Sequence, residues 1–295
     1  MTSAHEPVMV AEVLELLQPS RGGRFVDCTT GLGGHSRALL DGGATHLIGL
    51  DRDLSALAIA RETLARFGDR VELVHADYRE LDRVLDERGV ERSAGILADL
   101  GVSSMQFDAE GRGFSFRRDE PLDMRMDQSR GPSVADLLRD VEETELADVI
   151  YQFGEERASR RVARAIVAAR RESPIETTGR LAAIVRRAVP HKGHQRIDPA
   201  TRTFQALRIW VNRELEGLDT FLALAAGRLL ANARLAVITF HSLEDRIVKH
   251  TFRAMEKAGE GLRILTKRPL VPADDEVTRN PRARSAKLRA IERLA

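Results

Sequence analysis

Short apolar segments alternate with helical patterns over the first hundred residues of the chain. The segment Leu54–Phe67, for example, repeats apolar residues every three or four positions, which is typical of an amphipathic helix. Strands that alternate with helices in this way indicate βαβ units and a parallel sheet. The predicted strands of this part are Arg24–Cys28, His46–Asp51, Val71–Ala76 and Gly95–Leu100.

The middle of the chain has a different pattern. From Ser133 to Ala231 nearly every segment is an amphipathic helix, and no strand pattern interrupts the series. We therefore expect an all-helical domain that is inserted into the sheet domain. The predicted parts are residues 1–106 and 200–295 for the sheet domain and residues 107–199 for the insertion.

After the insertion, the pattern returns to that of a sheet domain. Apolar residues from Phe204 to Leu218 predict one long helix that leads back to the sheet. A fifth strand is predicted at Leu235–Phe240 and a helix at about Glu244–Met255. Two final strands are predicted at Leu262–Leu265 and Ala286–Arg293.

Composition narrows the class of protein. Hydrophobic residues make up 43% of the 295 residues and charged residues 31%, a mixture typical of folded globular proteins. The single cysteine, Cys28, excludes an intramolecular disulfide, which suits a reducing compartment. The first dozen residues have no signal-peptide pattern, and no apolar stretch approaches the roughly 20 residues that span a bilayer. We therefore expect a cytoplasmic protein with no membrane partner.

Charge is balanced over the whole chain, with 46 basic and 45 acidic residues, but it is segregated inside the predicted insertion. Residues 136–156 hold eight acids and one arginine, whereas residues 157–196 hold eleven basic residues and two acids. The basic part is either a solvated face beside the acidic helix or a surface that contacts RNA. The candidate RNA-binding residues in it are Arg160, Arg161, Arg164, Lys192 and Arg196.

A glycine-rich turn follows the first predicted strand. The sequence from Asp27 to Ser36 runs from the strand through Gly31, Gly33 and Gly34 into a helix. Glycine lets the backbone approach a ligand closely, and the amino end of a helix offers unpaired N–H groups. A tight turn without a ligand also uses glycine, so the turn alone does not define a site.

Acidic residues at the ends of the predicted strands point to a ligand. Asp51 ends the second strand, where nucleotide-binding sheets place an acid that accepts hydrogen bonds from ribose hydroxyls. Asp77 and Asp99 follow the third strand and end the fourth. Because the carboxyl ends of parallel strands meet at one edge of a sheet, we expect these side chains to line one crevice.

Two features distinguish the possible ligands. A dinucleotide fingerprint has glycine or alanine where this chain has Ser36. The carboxylate of Asp27 would repel a pyrophosphate, but it would attract the cationic sulfonium and amino group of S-adenosylmethionine. The run Asp27-x-Thr29-x-Gly31-x-Gly33 resembles the methyltransferase motif Asp/Glu-x-Gly-x-Gly-x-Gly, with Thr29 in place of its first glycine. S-adenosylmethionine is therefore the predicted cofactor.

Longer motifs extend over nearly the whole chain. They are His5-Glu6-Pro7-Val8, Gly33–Ser36, Asp99–Ser104, Gly113–Phe116, Leu122–Met126, Arg202–Arg208, Phe240–Arg246 and Asn280–Arg289. In this order they resemble the signatures of the bacterial 16S ribosomal RNA cytosine-N4 methyltransferases, the MraW or RsmH family. The resemblance implies an α/β fold, namely a class I, Rossmann-like methyltransferase sheet with an inserted all-helical domain. It also implies methylation of the exocyclic N4 amine of a cytidine in the decoding centre of the small ribosomal subunit.

The resemblance assigns roles to individual residues. Gly33, Gly34 and His35 would hold the methionine part of the cofactor. Asp51 would hold the ribose and Tyr78 the adenine side. Asp99 and Gln106 would complete the pocket near the reacting end. Together with the turn, this predicts a cofactor site that consists of Asp27, Gly31, Gly33, Gly34, His35, Asp51, Tyr78, Asp99 and Gln106.

Three residues are candidates for the chemistry. Asp99 can accept a hydrogen bond from the cytosine N4–H or fix the amino group of the cofactor. His241 and Ser242 follow the fifth predicted strand at the same edge. They either contact a base that is flipped out of the RNA or begin the next helix, with Ser242 as its N-cap.

Two further groups carry charge outside this edge. Arg282, Arg284 and Lys287 near the end of the chain are candidate phosphate contacts, and packing of a terminal strand is the alternative. His191 and His194 are spaced like part of a zinc site, but no further ligand follows, so we expect a basic loop and no metal.

Two other functions stay open on the residues alone. A nicotinamide-dependent dehydrogenase would use the same fold, although Ser36 and Asp27 argue against it. A non-catalytic RNA-binding factor of ribosome assembly would not need the complete cofactor pocket. The predicted partner is 16S ribosomal RNA within the small subunit.

Overall fold

The computed structural model describes residues 7–101, 110–189 and 197–295. The chain forms two compact units. The sheet unit lies within Met1–Ser103 and Glu216–Ala295, and the helical unit lies within Ser104–Leu215. None of the helices in the described ranges is long and apolar enough to cross a membrane.

The sheet has seven strands in the order β3-β2-β1-β4-β5-β7-β6. The first five of these run parallel, and β7 lies antiparallel between β5 and β6. The strands β2 and β3 lie on one side of β1, and β4 and β5 lie on the other. The strand order therefore reverses at β1, and open α/β sheets bind ligands at such a switch point. The strands are β1 Arg24–Asp27, β2 His46–Asp51, β3 Val71–His75, β4 Ser93–Asp99, β5 Leu229–Thr239, β6 Leu262–Ile264 and β7 Lys287–Arg293.

Helices surround the sheet and form the second unit. In chain order they are α1 Val10–Leu17, α2 Gly34–Asp41, α3 Leu54–Leu64, α4 Leu81–Asp86, α5 Val134–Asp140, α6 Glu143–Gly154, α7 Ser159–Glu172, α8 Thr178–Ala188, α9 Ala200–Asn212, α10 Leu218–Gly227, α11 Ser242–Ala258 and α12 Asp274–Arg279.

Alternate residues of the strands enter two separate cores. Val26 belongs to the core that contains Phe221 and Phe252, whereas its neighbour Phe25 belongs to the core that contains Leu39. This follows from the period of two in a strand, and the burial of both faces explains the continuous apolar runs in the sequence. The parallel α/β sheet that the sequence predicted is confirmed.

The helical unit is held by apolar stripes and by one buried amide. Ile150 on α6 and Ile166 on α7 are fully buried. Asn212 at the end of α9 accepts a hydrogen bond from the Met126 N–H at 2.7 Å and donates one to the Met124 carbonyl at 2.7 Å. These bonds fix the loop before α5 to the last turn of α9.

The segment that leads from the helical unit back to the sheet differs from the sequence-based expectation. The single long helix predicted from Phe204 to Leu218 is wrong, because α9 ends at Asn212 and α10 begins at Leu218. Arg213 takes up a left-handed conformation (φ 51°) and ends α9. Since α9 packs on α6, it groups with the helical unit, so the predicted boundary at residue 199 is too early. The fifth strand also begins earlier than predicted, at Leu229.

Candidate active site

The carboxyl ends of the parallel strands bring the predicted acids to one edge of the sheet. Asp27, Asp51 and Asp99 end β1, β2 and β4, and His241 follows β5 after one residue. The hydrogen bonds of these side chains differ, and the differences show which of them can take a ligand.

The glycine turn leaves the amino end of α2 without a side-chain cap. Gly33 is the N-cap of α2, with φ 85°, and it makes no side-chain capping hydrogen bond. A Cβ atom at this position would lie 3.2 Å from the Leu64 side chain, and the positive φ would strain any other residue, so the turn favours glycine. The positive end of the helix dipole therefore lies at the edge of the sheet without a side-chain cap, and the Asp27 carboxylate is next to its first turn.

Thr29 has a structural role that explains the departure from the glycine motif. Its hydroxyl oxygen accepts a hydrogen bond from the Asp99 N–H at 2.6 Å. The bond ties the turn after β1 to the end of β4. A glycine at position 29 would lose this connection.

Asp27 lies inside the turn. Its side chain is fully buried. Oδ2 accepts a hydrogen bond from the Ser36 hydroxyl at 2.7 Å, and Oδ1 accepts one from the Thr29 N–H at 3.2 Å. Burial raises the pKa of this carboxyl, and the nearby His35 ring and the two hydrogen bonds act in the opposite direction. Asp27 therefore organises the turn, and its role in cofactor binding stays a prediction.

Asp51 connects the glycine turn to the next loop. Oδ2 accepts a hydrogen bond from the Gly31 N–H at 2.7 Å, and Oδ1 accepts one from the Asp53 N–H at 2.8 Å. Burial raises the pKa of Asp51 to about 6, although both hydrogen bonds lower it. Each carboxylate oxygen has a second acceptor position, so Asp51 can still accept hydrogen bonds from ribose hydroxyls.

Asp77 and Tyr78 follow β3. Burial by itself would raise the pKa of Asp77, but the hydrogen bonds from Arg79 and the charge of Arg52 outweigh it and the pKa is lowered. The ring of Tyr78 is 8% exposed and packs on Phe221, with 4.7 Å between the ring centres. Tyr78 is thus mainly part of the core, and its contact with adenine stays a prediction.

Asp99 is the acid with unused hydrogen-bonding capacity. Its Oδ2 lies 3.7 Å from Nδ1 of His35, and Nε2 of His35 lies 2.8 Å from the Val8 carbonyl oxygen. Within the described part of the chain, the buried Oδ1 of Asp99 has no hydrogen-bond partner. Burial raises the pKa of Asp99 to about 6, and the charge of His35 acts against this rise. A buried acceptor beside an uncapped helix end fits the amino group of S-adenosylmethionine.

His241 forms the start of α11 together with Glu244. The structure makes His241 the N-cap, with its Nδ1 accepting from the Glu244 N–H at 3.5 Å, so the expectation that Ser242 is the N-cap is wrong. Ser242 is the first helical residue and is exposed. The Glu244 carboxylate accepts from the Phe240 N–H at 2.9 Å and lies 3.1 Å from Nε2 of His241. An imidazole can act as an N-cap because its unprotonated nitrogen accepts a hydrogen bond, and α11 begins one residue earlier as a result.

Glu244 and Thr29 are residues that sequence reasoning missed as parts of the site. Glu244 is 2% exposed, and its charge contributes to the raised pKa of Asp99. In the sequence it was visible only as an acid in the first turn of a helix. Its burial depends on the packing of α11 on the sheet, and no local pattern contains that information.

The candidate RNA-binding residues are distributed over both units. Arg160, Arg161 and Arg164 are exposed on α7, and Arg164 lies 3.5 Å from Glu143. Arg282 and Arg284 are exposed in the turn before β7, whereas Lys287 lies 3.4 Å from Asp245. Gln106, Lys192 and Arg196 lie outside the described residues, as do His191 and His194.

Sequence comparison finds relatives over the full length of the chain. A protein of Bradyrhizobium diazoefficiens named ribosomal RNA small subunit methyltransferase H is 52% identical, and the match covers 100% of this chain and 93% of the relative. Proteins with the same name from Sorangium cellulosum and Geobacter sulfurreducens are 51% and 50% identical. These matches cover 98% and 100% of this chain and 91% and 100% of the relatives.

A family model confirms the resemblance that the motifs indicated. The model of the MraW methylase family matches residues 2–294. Its description as a methylase agrees with the predicted cofactor, S-adenosylmethionine, and argues against a dehydrogenase. The chain therefore belongs to the MraW methylase family.

Proposed function

We propose that this protein transfers the methyl group of S-adenosylmethionine to the exocyclic N4 amine of a cytidine in the decoding centre of 16S ribosomal RNA. The substrate would be the small ribosomal subunit, which the protein meets in the cytoplasm. The observation that carries the proposal is the unpartnered Oδ1 of Asp99 beside the uncapped amino end of α2. The names of the full-length relatives support ribosomal RNA as the substrate class.

Each residue of the edge has a defined task in this proposal. S-adenosylmethionine supplies a methyl group that its sulfonium has already activated. Asp99 accepts a hydrogen bond from the amino group of the cofactor through Oδ1, and Asp51 accepts from the ribose hydroxyls. The backbone N–H groups at the start of α2 hold the carboxylate of the methionine part. These contacts align donor and acceptor, which is the main requirement of an in-line displacement.

The acceptor amine must also lose a proton. The lone pair of N4 is delocalised into the cytosine ring, and an acceptor for its N–H favours attack by localising that pair. Asp99 and His241 are the candidates at this edge. Nδ1 of His241 accepts from the Glu244 N–H at the start of α11, so a role in proton transfer would fall to Nε2, which lies 3.1 Å from the Glu244 carboxylate.

The state of Cys28 supports N4 over C5 as the methylated atom. Methylation at C5 of cytosine generally uses a thiolate that adds to C6. Cys28 is the only cysteine of the chain, and it is 1% exposed. Burial and the charge of Asp27 raise the pKa of its thiol well above the usual value, so the thiol stays protonated.

We further propose that the exposed arginines of α7 contact the RNA backbone. Arg160, Arg161 and Arg164 form the described part of this surface, and Lys192 and Arg196 continue the basic segment in the sequence. Replacing the three arginines with glutamate should weaken subunit binding and reduce its salt dependence. An unchanged affinity and salt dependence would make α7 a solvated face.

The test of the function is a methylation assay with nucleoside analysis. Small subunits that lack the modification are incubated with the protein and S-adenosylmethionine labelled in its methyl group, and the RNA is digested to nucleosides. We expect the label in N4-methylcytidine. Label in 5-methylcytidine would refute N4 as the methylated atom. Subunit binding without any label would favour a non-catalytic assembly factor.

A further inference from the structure

The outer face of α11 is basic along its whole length. The residues of this helix that point to the core are Glu244, Val248, Phe252 and Met255, which are buried. On the outer side, each turn from Arg246 onward presents basic side chains, with Ala254, Glu256 and Ala258 exposed beside them. This basic face consists of Arg246, Lys249, His250, Arg253 and Lys257.

The acids of the same helix form their hydrogen bonds with other parts of the chain. Glu244 is buried in the first turn and accepts a hydrogen bond from the Phe240 N–H. Asp245 accepts a hydrogen bond from Arg289 at 2.6 Å, and Glu256 accepts one from the Ile264 N–H at 2.8 Å. Among the residues that the structure describes, Lys249, His250, Arg253 and Lys257 form no ion pair with an acid.

A second surface helix of the sheet unit shows the usual arrangement. Arg83 on α4 lies 2.8 Å from Glu80 and 2.8 Å from Glu87, so its charge is compensated within one turn in both directions. Solvated helix faces commonly carry such pairs. Among the described residues, Lys249, Arg253 and Lys257 lack such pairs, although the whole chain has a net charge of only +1. The positive potential of the basic face is therefore a local property of this helix.

The position and dimensions of the basic face suit a strand of RNA. The N-cap of α11, His241, lies at the carboxyl edge of the sheet that carries Asp99. From Arg246 to Lys257 the face extends over about 16 Å, at about 1.5 Å per residue. Its exposed positions carry no large apolar side chain that could enter a membrane. A row of cationic side chains on one helix face is suited to binding a polyanion such as RNA.

We propose that the basic face of α11 binds the sugar–phosphate backbone of the substrate RNA next to the methylated nucleotide. This inference rests on the proposed function, because it assumes that the substrate enters at the carboxyl edge. The contacts are ion pairs to phosphates, so they position the RNA and carry no sequence information. The basic face of α11 would thus be an RNA-contacting surface of the sheet unit, in addition to the arginines of α7 that were proposed for the helical unit.

A matched pair of triple variants tests this surface. The first variant is Lys249→Gln, Arg253→Gln and Lys257→Gln. The control is Arg24→Gln, Arg61→Gln and Arg92→Gln, which removes the same charge from exposed positions of the same unit. Binding to purified small subunits that lack the modification is measured from 50 to 200 mM salt, and methyl transfer is measured at saturating S-adenosylmethionine.

We expect the first variant to bind at least 10-fold more weakly than wild type at low salt. The slope of log affinity against log salt should become less steep by about 2, since each phosphate contact contributes roughly 0.7 to 0.9. KM for subunits should rise while kcat stays within about twofold, and the affinity for S-adenosylhomocysteine, which reports on folding, should not change. The control should match wild type in all five quantities.

Two outcomes would overturn the inference. One is a wild-type salt slope in the first variant. The other is an equal loss in both variants, which would show a nonspecific effect of net charge. A failure of the proposed function is recognised separately, because wild-type protein itself would then leave no methylated cytidine in the subunits.

Discussion

Asp27 and Asp99 end neighbouring parallel strands, and yet their environments differ in kind. The carboxylate of Asp27 is fully buried and accepts hydrogen bonds from Ser36 and Thr29. The carboxylate of Asp99 keeps one buried oxygen without a partner in the described chain. An unsatisfied buried acceptor costs about 1–3 kcal/mol, which a ligand that donates a hydrogen bond can offset. The same residue type therefore builds the turn in one place and stays available for a ligand in the other.

The strongest test of the turn is a side chain at Gly33. Gly33→Arg places a Cβ atom close to Leu64 at φ 85° and directs a long side chain to the amino end of α2. We expect the binding of S-adenosylmethionine, measured by calorimetry, to fall below detection. The strain at positive φ should also lower the stability, by about 1–2 kcal/mol.

Gly68→Arg is the matched control for this change. Gly68 also has a positive φ, of 53°, but a Cβ atom there would meet nothing within 4 Å. Its backbone (φ 53°, ψ −131°) is less accessible to an L side chain than that of Gly33 (φ 85°, ψ 13°), so the strain of an arginine is at least as large there, and it lies in the turn before β3, away from the carboxyl edge of the sheet. Equal losses of cofactor binding in both variants would mean that strain, and not the site, explains the result.

Asp51→Ala should have the next largest effect on cofactor binding. Asp51 resembles Asp27 in accepting backbone hydrogen bonds, and it resembles Asp99 in having acceptor positions left for a ligand. Asp51→Ala removes the acceptor for ribose hydroxyls, and charge-assisted hydrogen bonds contribute about 1.5–3 kcal/mol. We expect the affinity for S-adenosylmethionine to fall by about 10- to 150-fold. The Gly31 N–H also loses its acceptor, so a stability loss of about 1 kcal/mol should accompany it in denaturant titrations. Wild-type affinity would remove Asp51 from the cofactor site.

Stability measurements should separate Asp27 from Asp99. Asp27→Ala leaves the Ser36 hydroxyl and the Thr29 N–H without their acceptor, so the free energy of unfolding should fall by about 1–3 kcal/mol at pH 4 and at pH 7. Asp99→Asn should behave differently. The pKa of Asp99 is raised from 3.8 to about 6, so the folded state binds its proton more tightly than the unfolded chain does.

The sign of the pH effect follows from this shift. The stability that a raised pKa contributes is fully present below pH 4 and is lost as the pH rises through about 6. Asparagine does not titrate, so the stability of Asp99→Asn relative to wild type should increase by about 1–3 kcal/mol from pH 4 to pH 7. The same difference in unfolding free energy between Asp99→Asn and wild type at pH 4 and at pH 7 would contradict the buried state of Asp99.

The smallest effect is expected at Cys28, beside Asp27. The thiol is buried and protonated, and the N4 route needs no covalent intermediate. Cys28→Ala should keep its rate of methyl transfer within about twofold and lose on the order of 1 kcal/mol of stability, since a small buried side chain is shortened. A folded, cofactor-binding Cys28→Ala protein without activity would contradict the assignment of N4.

The sequence was sufficient for the sheet and for the acids at its edge. Strands of the βαβ units are continuous apolar runs, and an acid at the end of such a run lies at the carboxyl edge in any parallel sheet. The direction in which each acid points could not be predicted. That Asp27 turns inward to Ser36, and that Thr29 reaches the end of β4, depends on how the turn packs against the neighbouring strand.

The wrong predictions of where α9 ends and of which residue caps α11 have physical reasons of the same kind. An arginine rarely takes up the left-handed conformation that ends α9 at Arg213, so no residue in the pattern marks the break. Likewise, serine is a common N-cap and histidine is not, although His241 takes this position in α11. Both choices are made by tertiary contacts rather than by local preference.

The central claim is that the unpartnered oxygen of Asp99 holds the cofactor, and titration calorimetry tests it most directly. S-adenosylmethionine is titrated into wild-type protein, Asp99→Asn and Asp27→Asn at pH 7.5. In Asp99→Asn we predict an affinity that is 10- to 150-fold lower, the equivalent of about 1.5–3 kcal/mol, without loss of thermal stability. In Asp27→Asn we predict a smaller loss of affinity together with a lower melting temperature. Wild-type affinity in a folded Asp99→Asn protein would contradict the account.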